Sequence, residues 1–299
     1  MSAIKEIKEN QMVVRGVGDF ASSLQQIAAS RMVKLRLQVL AAKRFADEAV
    51  IILRELELER TKRVQAEFDI QKGQMTIPKK KNNKPISNSG RTAIIVVTAD
   101  QGLCGSYNTE IFKKTEEVVA SHELADYFVI GRKGQEFFER LAKKHDLRFY
   151  PYFLPEVFSL ADLRPLISMF YRYDQIFMIV SRFVNTATRN AIFLELSIPV
   201  IEVEEATKEQ AEGKFIFEPS LDAVIASITE KLRYALFRQQ IMDSKLALYT
   251  AQMIAMQTAA ENAKDLMKEL QHQYNKARRK LIDKKIQEVQ AGRSLWASN

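Results

Sequence analysis

The sequence predicts an α/β fold in which two long terminal helices pair as an antiparallel coiled coil around a small central α/β domain. Three observations carry this. Proline-free, helix-forming stretches occupy both ends of the 299-residue chain. Each bears apolar residues in an unbroken three–four spacing, the mark of a coiled-coil seam. The middle alternates short β-branched runs with helical patterns, as a largely parallel sheet requires.

The N-terminal helix is expected within residues 1–72. Ala28, Met32, Leu35, Val39, Ala42, Ala46, Ala49, Leu53 and Leu56 fall four, three, four, three apart without a miss. Gly16 and Gly18 stand before this row. Each costs about 1 kcal/mol against alanine in a helix, so a break or hinge is expected there. Residues 73–90 (GQMTIPKKKNNKPISNSG) read as an exposed linker.

The central domain is expected over 91–219. Strands are predicted at 92–98 (TAIIVVT), 127–130 (YFVI), 175–180 (QIFMIV), 199–203 (PVIEV) and 214–217 (KFIF). Helices are predicted between them at 108–121, 134–145 and 160–171. The C-terminal helix, 220–299, carries the matching seam: Leu246, Tyr249, Met253, Met256, Ala260, Ala263, Met267, Leu270, Tyr274, Ala277 and Leu281. From about residue 220 to 290 an unbroken helix spans roughly 100 Å, more than a domain of this size hides.

Composition narrows the function. At 46 % hydrophobic and 27 % charged residues the chain can bury a core. One cysteine excludes a disulfide framework and any CxxC motif, and three scattered histidines argue against a His-rich metal site. No apolar run approaches the ~20 residues that cross a bilayer, and MSAIKEIKENQ lacks a secretory core. A soluble, intracellular chain without cofactor or metal is expected.

Enzyme-like features are few. The stretch 99–108 (ADQGLCGSYN) lies between a strand and a helix, where a helix N-terminus can cradle phosphate. Its spacing matches neither GxGxxG nor GxxxxGK[ST], so a structural turn is the better reading. Cys104 sits there, but no histidine is near in sequence to act as its base. The carboxylates show no acid/base pairing.

Charge is more informative. The formal net charge is +8, which suits nucleic acid, anionic lipid or acidic protein surfaces. Arg31, Lys34, Arg36, Lys43 and Arg44 form one run without an acid. Lys276, Arg278, Arg279, Lys280, Lys284 and Lys285 form another, opposed only by Asp283. In an antiparallel hairpin both are expected at the same end of the rod, as a binding surface.

Several stretches together resemble one family. Ala28-Ala29-Ser30-Arg31-Met32, TADQGLCGSYN at 98–108, Gly131-Arg132-Lys133-Gly134, Tyr173-Asp174 before IFMIV and Phe217-Glu218-Pro219 all fit it. So do Met253-Ile254-Ala255-Met256, Asn262-Ala263 and Tyr274-Asn275-Lys276-Ala277-Arg278. Nearly the whole chain is similar to the gamma subunit of F-type ATP synthases, in family order.

The resemblance implies an antiparallel coiled coil around a Rossmann-like domain. It implies a non-catalytic central-stalk rotor inside a ring of three alpha and three beta subunits, with the ATP sites on the ring. Its partners would be that ring, the epsilon subunit and the membrane c-ring, with no nucleic acid and no direct membrane insertion. The place would be the cytoplasmic face of the cell membrane, peripherally bound.

By the same resemblance, Arg278 contacts beta-subunit loops, with Lys276 and Arg279 assisting and Arg31, Lys34 and Lys280 also facing the ring. Leu295 and Trp296 would lie in the ring's upper sleeve. Gly102, Leu103, Cys104, Gly105 and Asn108 form the turn near the collar. The chain departs from the family pattern at Gln101, Leu248, Gln252, Arg279 and Ile282-Asp283-Lys284-Lys285. These departures keep open the shaft of a specialised F-type-like ATPase not coupled to proton transport, and the basic runs keep open a basic coiled coil that binds nucleic acid.

Overall fold

The computed structural model describes residues 2–70, 91–170, 172–183, 185, 189–196 and 217–297, with the side chains of 2–3, 64–70, 160, 170, 189 and 291–297 excepted. The linker 73–90, the strand expected at 199–203 and residues 214–216 of the one expected at 214–217 lie outside the described residues. Two helices dominate, α1 (Ser2–Ile70) and α5 (Leu221–Ala297). Two compact units divide the chain. One holds Met1–Arg31, Leu103–Gly105 and Tyr249–Asn299, the other Met32–Gly102 and Ser106–Leu248.

In the first unit the helices run antiparallel. Along α1, Lys8 lies 5.6 Å from the Tyr274 ring and Gln11 donates to Gln271 at 3.1 Å. Farther on, Gly18 faces Ala263, and Arg31 stands 5.7 Å from the Tyr249 ring. The seam continues upstream of Ala28 through Ile4, Ile7, Gln11, Val14, Gly18, Ala21 and Gln25, all buried or half-buried.

The break expected at Gly16 and Gly18 is not there; α1 passes through both as helix. Gly18 is itself a seam position. A Cβ on it would lie 3.2 Å from the Ala263 Cβ, so the missing side chain lets the helices close up. Packing along the seam outweighs two unfavourable propensities.

The second unit contains a five-stranded sheet in the order β3-β2-β1-β4-β5. β1 (Thr92–Val97), β2 (Asp126–Ile130), β3 (Arg148–Tyr152) and β4 (Gln175–Phe183) run parallel, and β5 (Arg189–Glu195) pairs antiparallel with β4. The helices α2 (Tyr107–Val119), α3 (Arg132–Leu141) and α4 (Leu160–Phe170) connect strands. β1 and β2 are buried nearly throughout, as parallel strands covered on both faces should be. β3 and β5 were not among the predicted strands. β3 is an exposed edge strand whose Pro151 removes a backbone donor.

One core joins the sheet (Ile95, Phe128, Met178) to α4 (Leu163, Leu166) and to Phe237 and Ile241 of α5. In a second, Ala46, Ala49, Leu53 and Leu56 of α1 meet Ile225 and Leu232 of α5. The α5 N-terminus is capped by Ser220, whose hydroxyl accepts the Ala223 N–H at 3.3 Å. It is also tied to α1 by a 3.0 Å Arg60–Asp222 ion pair.

Candidate functional site

Open α/β sheets bind ligands beyond the carboxyl ends of their strands, where the strand order reverses. In this sheet that point lies between β1 and β4. It is filled by α5. The Ser244 Oγ lies 2.8 Å from the Tyr107 Oη and accepts the Ser181 N–H at 3.2 Å. Ser181 and Ser244 are fully buried, and Tyr107 is nearly so. Beside them the Lys245 ammonium donates to the carbonyls of Pro155 and Glu156 at 3.0 and 3.1 Å and lies 4.7 Å from the Phe158 ring. The place where a cofactor would sit holds a helix.

The turn after β1 is equally occupied by the chain itself. Thr98 Oγ1 donates to the Ile130 carbonyl at 2.8 Å and accepts the Gly134 N–H at 2.9 Å. Arg132 and Lys133 donate their backbone N–H groups to Asp100 Oδ1 and to the Ala99 carbonyl. The first amides of α3, which could cradle phosphate, are therefore already satisfied. Gly131 makes this closeness possible: its φ is +103°, and a Cβ there would lie 2.5 Å from the Thr98 carbonyl oxygen.

Within the expected collar turn, Asn108 Oδ1 accepts the Ala99 N–H at 3.1 Å. Leu103 and Gly105 have φ of 62° and 58°, while Gly102 has open space where a Cβ would go. Leu103 points outward, and the Cys104 thiol is only 3 % exposed. A shielded thiol is a poor nucleophile, which agrees with the structural reading of the turn. Among the described residues no three His, Cys, Asp or Glu side chains are grouped to hold a metal ion.

At the opposite end of the strands, a buried carboxylate gathers the starts of all four parallel strands. Asp126 opens β2 and is 2 % exposed. Its Oδ2 accepts from Arg91, before β1, at 2.6 Å and from the Tyr173 hydroxyl, before β4, at 2.8 Å. Arg148 of β3 approaches Oδ1 at 3.2 Å. Burial and the hydrogen bond to Asp126 push the Tyr173 hydroxyl up to about 12. Sequence reading missed this group, because its members stand far apart along the chain.

The basic residues are placed differently from expectation. Arg31 lies opposite Tyr249, whereas Lys276 follows about 40 Å farther along α5, near the start of α1. Val39, within the first run, packs by Met242 and Leu246. Within the first unit, Arg31 of one run and Lys276 of the other therefore do not share one end. Antiparallel pairing fixes direction but not register, and it is register that separates them. Lys34, Lys276, Arg278, Arg279 and Lys280 are exposed. Leu295 and Trp296 belong to α5, but their side chains lie outside the described residues.

The model of one protein family, described as ATP synthase, matches residues 3–294. Relatives found along the full length are gamma chains of that enzyme. The ATP synthase gamma chain of Chloroflexus aurantiacus is 28 % identical over 314 residues, covering 100 % of both chains. That of Herpetosiphon aurantiacus is 26 % identical, covering 98 % of each. The chain belongs to the ATP synthase gamma family.

Solved structures share the fold of this gamma-family chain. The rotor of the Euglena gracilis mitochondrial ATP synthase matches with a TM-score of 0.59 at 15 % identity, over 94 % of this chain and 99 % of that one. The central stalk and c-ring structure from Tetrahymena thermophila matches with a TM-score of 0.54 at 18 % identity, over 80 % and 99 %. Among the described residues, no helix of this family member is long and apolar enough to cross a membrane.

Proposed function

We propose that this chain is the central-stalk rotor of an F-type ATP synthase, passing rotation between a membrane c-ring and a ring of three alpha and three beta subunits. It is a non-catalytic subunit: ATP is made or hydrolysed on the ring, and the shaft forces the sites through their states in turn. The observation that carries this reading is the gamma-family match over residues 3–294, on a chain whose long terminal helices pair with each other within each unit.

The interior of the sheet domain supports the same reading. Its ligand crevice is plugged by Ser244 and Lys245. A shaft needs stiffness and contact charge rather than a reactive group. Exposed Arg31 and Lys34, and farther along Lys276, Arg278, Arg279 and Lys280, serve as contacts for acidic loops of the ring. Leu295 and Trp296 seat in its sleeve. The turn from Gly102 to Asn108 lies at the collar, with epsilon alongside the sheet domain. The complex stands on the cytoplasmic face of the membrane.

A second reading rests on the departures at Gln101, Leu248, Gln252 and Arg279. In it the same shaft serves an F-type-like ATPase without a proton-transporting sector. Purifying the tagged chain from its own cells and identifying its companions separates the two. Alpha and beta at three to three with one copy of this chain, plus epsilon and c-ring, supports the synthase. A ring without membrane-sector subunits supports the second reading, and no ring at all refutes both.

A further inference from the structure

We propose that two consecutive residues of α5, Ser244 and Lys245, form the joint through which the sheet domain grips and turns the rod helix. This rests on the rotor reading and adds to it the place where torque enters the shaft. A helix gripped only by apolar side chains resists separation well but twisting poorly, since apolar attraction has no direction. Hydrogen bonds lose strength steeply when bent, so they resist rotation about the helix axis.

Successive residues of a helix point about 100° apart. The two side chains therefore leave α5 about 100° apart and meet two different walls. Ser244 enters the floor of the crevice, between Tyr107 of α2 and the Ser181 amide of β4. Lys245 reaches the loop after β3, at the carbonyls of Pro155 and Glu156. Turning α5 about its axis bends both sets of hydrogen bonds and so weakens them.

By contrast, α1 meets α5 in this unit through a row of Ala and Leu at 46, 49, 53 and 56. The ion pair from Arg60 to Asp222 adds to that row but is largely exposed. Exposed pairs contribute little. Ser244 and Lys245 of α5 thus supply directional attachments to the sheet domain. Burial also disfavours the charged form of both Asp243 and Lys245, raising the former's pKa and lowering the latter's.

The test uses the assembled complex with a bead fixed through Leu124→Cys, since Leu124 is 91 % exposed and the native Cys104 is buried. Angular fluctuation of the bead in the ATP-waiting dwell reads the stiffness of the shaft and its joint. Ser244→Ala with Lys245→Met should widen that fluctuation and lower the torque at which rotation stalls, leaving unloaded ATP turnover and step size unchanged. Amide exchange at Ser181 should quicken by roughly fivefold as its acceptor is lost. Tyr107→Phe, which removes one hydroxyl and keeps the ring, should shift both readings in the same direction without emptying the core. A wild-type chain that fails to rotate refutes the rotor reading itself. Rotation by wild type, with fluctuation and stall torque unchanged in the variants, refutes the joint alone.

Discussion

Substituting the two glycines of α1 separately tests how the helices meet. Gly16 has nothing within 4 Å of where a Cβ would stand. Gly16→Ala therefore changes only helix propensity and should stabilise α1 by about 0.5–1 kcal/mol. At Gly18 the added Cβ would stand 3.2 Å from the Ala263 Cβ, inside normal van der Waals separation. The propensity gain is then offset by crowding, and Gly18→Ala should come out near neutral. Gly18→Leu adds a side chain the seam has no room for and should cost about 1–3 kcal/mol. Amide exchange of the segment around residues 12–24 in the full chain reads all three. The first should slow exchange by roughly two- to fivefold, the second should leave it near wild type, and the third should speed it. Equal slowing by both alanines would mean that the seam does not pass through Gly18.

Four further outcomes follow from the same structure. Asp126→Ala should destabilise the sheet domain by about 2–3 kcal/mol in urea titration, below the cost of breaking a fully buried pair because Arg91 and Arg148 can return to water. Tyr173 titrates near 10 unfolded and about 12 folded, so the native state keeps a proton that the unfolded state loses. Stability should fall as pH rises through that window, less steeply in Tyr173→Phe. Asp243 has its folded pKa raised above 3.8, chiefly by burial. Its contribution is present at low pH and lost as pH climbs through the folded value, so Asp243→Asn should gain on wild type toward neutrality in parallel denaturant titrations. Arg278→Glu, at an exposed site, should leave folding stability within about 0.5 kcal/mol while lowering ATP turnover by the assembled ring; unchanged turnover and rotation would remove Arg278 from the ring contacts.

The seams were legible because burial along a helix follows a fixed period. Ala28, Val39, Leu53, Met256 and Leu270 all turn inward, as their spacing requires. The central strands were legible as apolar runs, whereas β3 was hidden by its exposure and Pro151. Gly18 was misread for a physical reason: propensity is local, and the contact with Ala263 is not. The basic runs were placed at one end because antiparallel pairing was read without its register. Ser244, Lys245 and Asp126 gave no signal at all. Their roles depend on partners such as Tyr107, Pro155 and Arg91, which only the folded chain brings near. Cys104 lies in the segment read as a turn, where Asn108 Oδ1 accepts the Ala99 N–H.

The most direct test of the account is to assemble the chain with its cellular alpha and beta subunits, fix the ring to glass and watch a bead attached at Leu124→Cys as ATP is added. A rotor shaft turns the bead in one direction, in three equal ATP-driven steps per turn as a ring with three sites requires. ATP hydrolysis by the ring with the bead at rest would contradict it.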